Sequence, residues 1–397
     1  MNDSPSVDEL LRRATALGAA LRERANEGDA LRHLPPRTVI DLHDAGLFRV
    51  LQPSRFGGYE LPPKTLFDLQ IALGRVCPST AWVYGVLSVH HWQLGLFPAE
   101  AQDEVWGRDS TTLISSSYAP TGKIERVRGG YRLSGRWSFS SGCDHAQWVF
   151  LGGFVPPDGP DAKPDMRTFL LPRADYAIDD NWFTSGLKAT GSKDIVVDGA
   201  FVAEHRTHKL IDGFRLDNPG NALNTSPVFR MPFGQIHVRS VSTPALACAL
   251  GALDVYNEST ASRLAATDQS RVSEDPASQL CAAECESVVD HALLVLHRNL
   301  DELYGYAVEA KDGVPKMPVD RRVRFRHESA LAARESASVV ARLFTQSGGR
   351  AVFQSHPLNR FFQDVHVIRA HYANNPEGPG RNFGRVLFGQ RSQDYFV

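Results

Sequence analysis

The stretch Arg360-Phe-Phe-Gln-Asp364-Val-His366-Val-Ile-Arg-Ala-His371-Tyr372 closes the last long helical segment of this chain, residues 357–372. It carries one aspartate and two histidines within reach of a single helix. Three further segments upstream, 242–266, 276–310 and 318–346, have the same long apolar periodicity. Four helices of this length predict an antiparallel bundle.

Working toward the N-terminus, residues 206–235 read as a long connection between the bundle and what precedes it. A connection of that length in a compact fold is usually functional or disordered. Its Phe229, Met231 and Phe233 could wall a substrate pocket as a lid, or anchor a surface loop. Before it, 113–117, 123–127, 131–139, 148–154, 168–172 and 195–202 are short runs rich in β-branched and aromatic residues. Gly, Pro and Asp clusters separate them. The first third is helical again. Leu10, Leu11, Ala14, Leu17, Leu21 and Ala25 recur at three and four over 5–32, Gly46 ends a helix over 37–45, and 66–76, 80–97 and 98–106 follow. The expected division is an N-terminal α domain (1–110), a central β domain (111–205), a lid or substrate loop (206–235), and a C-terminal bundle with its tail (236–397).

Composition narrows the function. The chain has 397 residues, enough for two or three domains, and 43 basic against 45 acidic residues give a net charge of −2. No basic run with interleaved aromatics points to nucleic acid. No stretch of about 18 apolar residues points to a membrane span, and the N-terminus lacks a secretion signal, so a cytoplasmic protein is expected. Five scattered cysteines argue against a disulfide framework. Cys281 and Cys285 lack partners for a zinc site, and no metal is expected. No GxGxxG follows a strand, so a nicotinamide site is not expected in this chain.

The α–β–α order and a set of segments resemble the acyl-CoA dehydrogenase superfamily over nearly the whole chain. Phe56-Gly-Gly58 resembles its early glycine turn. Ser115-Ser-Ser117-Tyr118-Ala-Pro120 is similar to the first flavin-contacting strand and loop. Gly135-Arg-Trp137-Ser-Phe139-Ser140-Ser141-Gly142 resembles the strand that touches flavin N5. Gly186-Leu-Lys-Ala-Thr190-Gly191-Ser192 is similar to the segment before the last strand, and Gln346-Ser-Gly348-Gly349 to the Q-x-G-G turn of the bundle. The implied fold class is α+β: an N-terminal helical domain, a small central β-barrel, and a C-terminal four-helix bundle. In the dehydrogenases the segment after the Arg-Asp turn carries a catalytic glutamate. That position falls here on Tyr372, whose phenol, with a reference pKa of about 10, is a poor base. The alternative base position falls on Val241.

The same alignment resembles the branch that gave up this chemistry, the oxygenase components of two-component flavin monooxygenases. Ser-Val-His90-His-Trp92, Ser138–His145 and 224–234 resemble members that hydroxylate a seco-steroid phenol and, more distantly, hydroxyphenylacetate. This implies hydroxylation of a phenolic or other aromatic substrate by reduced flavin (FADH2 or FMNH2) and O2 through a flavin C4a-hydroperoxide. A separate NAD(P)H-dependent flavin reductase would supply the flavin, and the assembly would be a homotetramer. The implied catalytic residues are His366 as phenol base, His90 on the oxygen side, and Ser141. The implied cofactor-binding residues are Trp92, Ser115, Ser117, Tyr118, Ser140, Ser141, Thr190, Gln346, Gly348 and Gly349. Phe229, Phe233 and His366 are the implied substrate contacts. The dehydrogenase R-x-x-F-G motif is missing around Arg263, which leaves FAD against FMN open. Alternatives are ordinary strand bonding for the serines, a buried packing role for His90, and a surface role for His366. An acyl-CoA dehydrogenase or oxidase and an N-hydroxylating monooxygenase are the other functions that this resemblance allows.

Overall fold

The computed structural model describes residues 4–157, 159, 165–265, 268–310 and 313–397. Six helices come first: α1 (Val7–Ala16), α2 (Gly18–Leu31), α3 (Pro36–Asp44), α4 (Pro63–Gly74), α5 (Pro78–Leu94) and α6 (Ala99–Trp106). The helix expected over 5–32 is two. It starts where Ser6 accepts the Glu9 amide, breaks at Leu17, and ends at Arg32, whose φ of 59° is left-handed. All seventeen residues of α5 are buried, so it shows no polar face and no helical period.

Eight strands follow among the described residues: β1 (Ile114–Ser117), β2 (Lys123–Val127), β3 (Gly130–Ser140), β4 (Trp148–Val155), β5 (Asp165–Pro172), β6 (Ala177–Asp179), β7 (Lys193–Ala203) and β8 (Thr207–Lys209). They form two four-stranded sheets, ordered β1-β4-β5-β8 and β2-β3-β7-β6, with only β1 and β4 parallel. A small barrel or sandwich was expected, with the barrel implied by the resemblance; the strands make two separate sheets packed face to face. Ile124, Tyr131, Leu133 and Trp137 of one meet Val149, Leu151, Phe169 and Leu171 of the other. The Trp137 indole N–H crosses the gap to the Gly152 carbonyl at 2.8 Å. A ring of this size buries roughly 150–250 Å², so the crossing pins the sheets together. The three-residue strands β6 and β8 are too short to announce themselves by alternation.

The connection over 206–235 is not open loop. It holds β8, the short helix α7 (Leu210–Arg215) and two 3-10 turns. Phe229 and Met231 are fully buried and Phe233 nearly so, so the lid reading is corrected: these side chains anchor the segment in the core.

Four long helices follow: α8 (Phe233–Ser262), α9 (Pro276–Glu309), α10 (Val319–Ser347) and α11 (Pro357–Ala370), then α12 (Glu377–Leu387) in the tail. α8 starts nine residues before the expected boundary, directly after Pro232. It is apolar and long enough to cross a membrane by composition, but 94% of its most apolar window is buried inside this fold. α4 presses close to it: a Cβ added at Gly74 would lie 2.5 Å from that of Ala247. α10 runs parallel to α8, held by Gln235 Nε2 donating to the Arg322 carbonyl (2.9 Å) and by the Ser242–Ser329 hydroxyl pair (2.7 Å).

Candidate active site

A cavity of about 420 Å³ opens where the sheets, α5, α8 and the end of α11 meet. Trp82, Val86, Phe139, Trp182, Leu187 and Val241 give it flat apolar walls, and Ser116, Ser117, Ser138, Ser141 and Ser192 line it with hydroxyls. His237, His371 and Tyr372 face it as well, Tyr118, Ala119, Val367 and Ala370 complete the lining, and no carboxylate is among these residues. A bulge at the end of β3 builds one edge. The register slips between Trp137 and Ser140, and Phe139 takes a φ of 68°. That conformation is unfavourable for a bulky side chain, and it leaves Phe139 exposed at the cavity while Ser140 turns inward.

The hydroxyls are wired together. The Trp82 indole N–H donates to Ser141 Oγ (2.9 Å), which pairs with Ser192 Oγ (2.7 Å). Ser192 pairs with Thr190 Oγ1 (2.7 Å), and Thr190 donates to the Leu187 carbonyl (2.9 Å). Asp364, buried on α11, secures the far end: its Oδ1 accepts the Leu187 amide at 2.6 Å. The backbones touch there, since a Cβ on Gly186 would lie 2.4 Å from the Gln363 carbonyl. Burial raises the Asp364 carboxyl to about 7.

Two histidines face the same space. α11 ends at Ala370 and His371 is extended (φ −62°, ψ 135°), which turns its ring onto Trp82, edge to face at 5.6 Å. The Ala373 amide donates to His371 Nδ1 at 3.2 Å, which assigns the proton of the neutral ring to Nε2. Burial, with the Arg326 charge behind it, lowers His371 to about 4. His237 stacks on Phe233 and meets the Tyr118 ring edge to face at 4.8 Å. Its Nδ1 is buried without a partner, and burial holds its pKa well below the ordinary value. Both rings are therefore neutral near neutral pH.

Of the expected residues, Ser117, Tyr118 and Ser141 line this cavity, and Thr190 reaches it through Ser192. Ser117 donates to the Ser138 carbonyl (2.6 Å), and the Tyr118 hydroxyl to Gln93. Ser115 and Ser140 are fully buried and bond one another at 3.1 Å, the ordinary strand role. His90 stands behind Tyr118, with Nδ1 donating to the Ile114 carbonyl (2.5 Å), Nε2 unpartnered, and its pKa lowered by burial to about 3. Trp92 donates to the Val228 carbonyl (2.7 Å) and stacks on Phe233; neither ring, nor Phe229, lines the cavity. His366 is the principal correction. It is exposed, outside the cavity, with its ring on Phe362 (4.5 Å) and Nδ1 donating to the Phe362 carbonyl (2.7 Å). Gln346, Gly348 and Gly349 lie elsewhere, at the end of α10. They border a polar cleft lined by Ser259, Ser262, Arg263, Ser347, Arg350 and His356. Arg263 donates to the Ser347 carbonyl there (2.9 Å).

Sequence reasoning missed His237, Trp82 and Ser192, and gave His371 no role. The available signal for His237 was its position one turn after Phe233.

The cavity fits an isoalloxazine: flat aromatic walls for the ring, and along one edge the Ser141–Ser192 hydroxyls for its heteroatoms. A model of the acyl-CoA dehydrogenase C-terminal domain matches residues 240–376. The flavin-dependent monooxygenase oxygenase subunit HsaA of Rhodococcus jostii (strain RHA1) is 39% identical over 98% of this chain and 100% of its own. The FADH(2)-dependent resorcinol hydroxylase oxygenase component of Rhizobium sp. (strain MTP-10005) is 31% identical over 96% of this chain and 94% of its own. The crystal structure of 3-HSA hydroxylase from Rhodococcus sp. RHA1 superposes with a TM-score of 0.93 at 38% identity, covering 99% of this chain and 100% of that one. The chain thus has an acyl-CoA dehydrogenase-like fold, uses reduced flavin and O2, and belongs to the oxygenase subunits of the flavin-dependent monooxygenases.

Proposed function

We propose that this chain hydroxylates a phenolic ring in the 420 Å³ cavity, using flavin reduced by a separate NAD(P)H-dependent reductase. The observation that carries the reading is the pair of neutral histidines, His237 and His371, facing the same space as the Ser141–Ser192 hydroxyls. Reduced flavin, when bound, supplies the electrons that activate O2. The chain's own residues do the rest. Trp82 and Ser141 hold the ring edge, and the apolar walls exclude water. His371 presents its Nε2–H to an oxygen of the substrate. His237, with no hydrogen bond on its ring, accepts the phenol proton; the phenolate is richer in electrons at its ortho and para carbons. His371 and His237 thus take the role expected of His366. The lining without a carboxylate supports this over acyl-CoA oxidation, which needs a base for a carbon-bound proton.

The polar cleft beside Gln346 and Gly349, with Arg263, Arg350 and His356, suits the phosphates of a flavin shared between subunits of a homotetramer. The division at 110, 205 and 235 stays our reading of the domains. Five free, buried cysteines suit a reducing, cytoplasmic setting.

The test is turnover with chemically reduced FMN or FAD, isotopically labelled O2 and a panel of phenols and amines. One labelled oxygen in a catechol-type product supports the proposal. Labelled product from amines alone would replace it with N-hydroxylation, and peroxide without product from every phenol would reject it.

A further inference from the structure

We propose that Arg326 is the fixed positive charge that lets the cavity hold its phenol as the phenolate. The inference rests on the phenol reading above and adds a residue that lies outside the cavity lining.

Arg326 sits on α10 and is 5% exposed. Its Nε and Nη1 have no partner, and among the described residues it makes no hydrogen bond or ion pair. Its neighbours Arg322 and Arg239 also have no ion pair among the described residues and each has a buried nitrogen without a partner, but each is held by hydrogen bonds: Arg322 donates to the Phe214, Val397 and Met317 carbonyls, and Arg239 donates to Gln235. A guanidinium cannot shed its proton, and an unpaired buried charge is costly. A fold that keeps one gains from it where a negative charge arrives.

The position is fixed by packing. The Gln235–Arg322 and Ser242–Ser329 bonds bracket Arg326 and set it level with residues 237–241 of α8. His237 and Val241 of that stretch line the cavity. Asn374 donates to the Val241 carbonyl (2.9 Å) and brings the His371–Tyr372 turn to the same level. The groups whose charge couples with Arg326 are His237 and Arg239 from α8, His371 and Tyr372 from the turn, Asp394 from the tail, and His327 beside it. Asp394 is the one carboxylate among them, and it is beyond ion-pair distance. An imidazolium at either histidine would stand against like charge, so His237 relays the phenol proton and does not keep it. The negative charge that answers Arg326 therefore belongs to the ligand. The phenol O–H bond breaks, and its electron pair stays on oxygen. The proton passes to His237 and on to water at the exposed Tyr372 mouth.

The test needs no turnover. p-Nitrophenol, whose phenolate is coloured, is bound to the protein with oxidised flavin, and its absorbance is followed against pH. In the wild type the bound probe should ionise at lower pH than in water. Arg326→Lys should keep that shift, and Arg326→Met should raise the bound ionisation point by on the order of one pH unit, tenfold in the constant. A Met variant that binds the probe and titrates it like the wild type overturns the proposal. If that variant does not fold, Asp394→Asn decides, because removing the opposing charge should lower the ionisation point further and no change rejects the idea. A wild type that binds the probe with its ordinary ionisation rejects Arg326 alone. A wild type that binds no phenol rejects the phenol reading as well.

Discussion

Asp364→Asn separates the structural from the electrostatic part of the bond that holds the cavity wall. Asp364 Oδ1 accepts the Leu187 amide at 2.6 Å, and its Oδ2 is buried without a partner. Burial moves the carboxyl from 3.8 to about 7. Between those values the folded protein keeps a proton that the unfolded chain has released. Folding then takes up a proton, and stability falls as pH rises through the interval, by at most about 1.4 kcal/mol per pH unit. Asparagine keeps an acceptor for Leu187 and does not titrate. The Asn variant should therefore gain on the wild type in melting temperature from about pH 4 to about pH 7 and level off above that. Asp364→Ala, which does not titrate either, leaves the Leu187 amide unpaired and should be about 1–3 kcal/mol less stable than the Asn variant at every pH. The assay is thermal unfolding of all three proteins across that range with oxidised flavin bound. Parallel pH profiles for wild type and Asn would refute a protonated Asp364.

Ser141→Ala removes the acceptor of the Trp82 indole and the partner of Ser192. It should weaken flavin binding and raise the share of O2 released as hydrogen peroxide, read by fluorescence titration and peroxide assay. Anaerobic mixing of the oxidised flavoprotein with acyl-CoA thioesters should leave the flavin spectrum unchanged, since the lining offers no carboxylate; bleaching would restore a dehydrogenase. The purified chain alone should not oxidise NADH at a useful rate, and adding a flavin reductase should start O2-dependent turnover.

Much of the architecture was legible because it rests on local rules. The long bundle helices and the first strands carry their periods openly, and Gly46, left-handed at φ 75°, marks a real boundary. What was not legible depends on contacts distant in sequence. α5 is buried on every side, so its pattern could not say that Trp82 faces a cavity while His90 lies behind Tyr118. The 206–235 segment reads as a lid or an anchored surface loop, but its Phe233 stacks on Trp92 of α5 and on His237 of α8. The placement of the histidines turns on one residue. The sequence continues the last helix to 372, whereas the chain leaves it at His371 and swings that ring inward, and His366 stays on the outer face. Ser141, Ser117 and Tyr118, named from the resemblance of their strand segments to flavin loops, line the cavity.

Product formed per flavin reduced, after rapid mixing of the chemically reduced flavoprotein with O2 and a phenol, tests the central claim most directly. It should be measured for wild type, His366→Ala, His237→Ala and His371→Ala, with hydrogen peroxide quantified alongside. The account predicts that His366→Ala matches the wild type. His237→Ala and His371→Ala should each slow hydroxylation by roughly 10²–10⁴-fold, the usual value of a positioned proton-transfer group, and release peroxide instead. Loss of hydroxylation in His366→Ala, with both inner variants fully active, would contradict it.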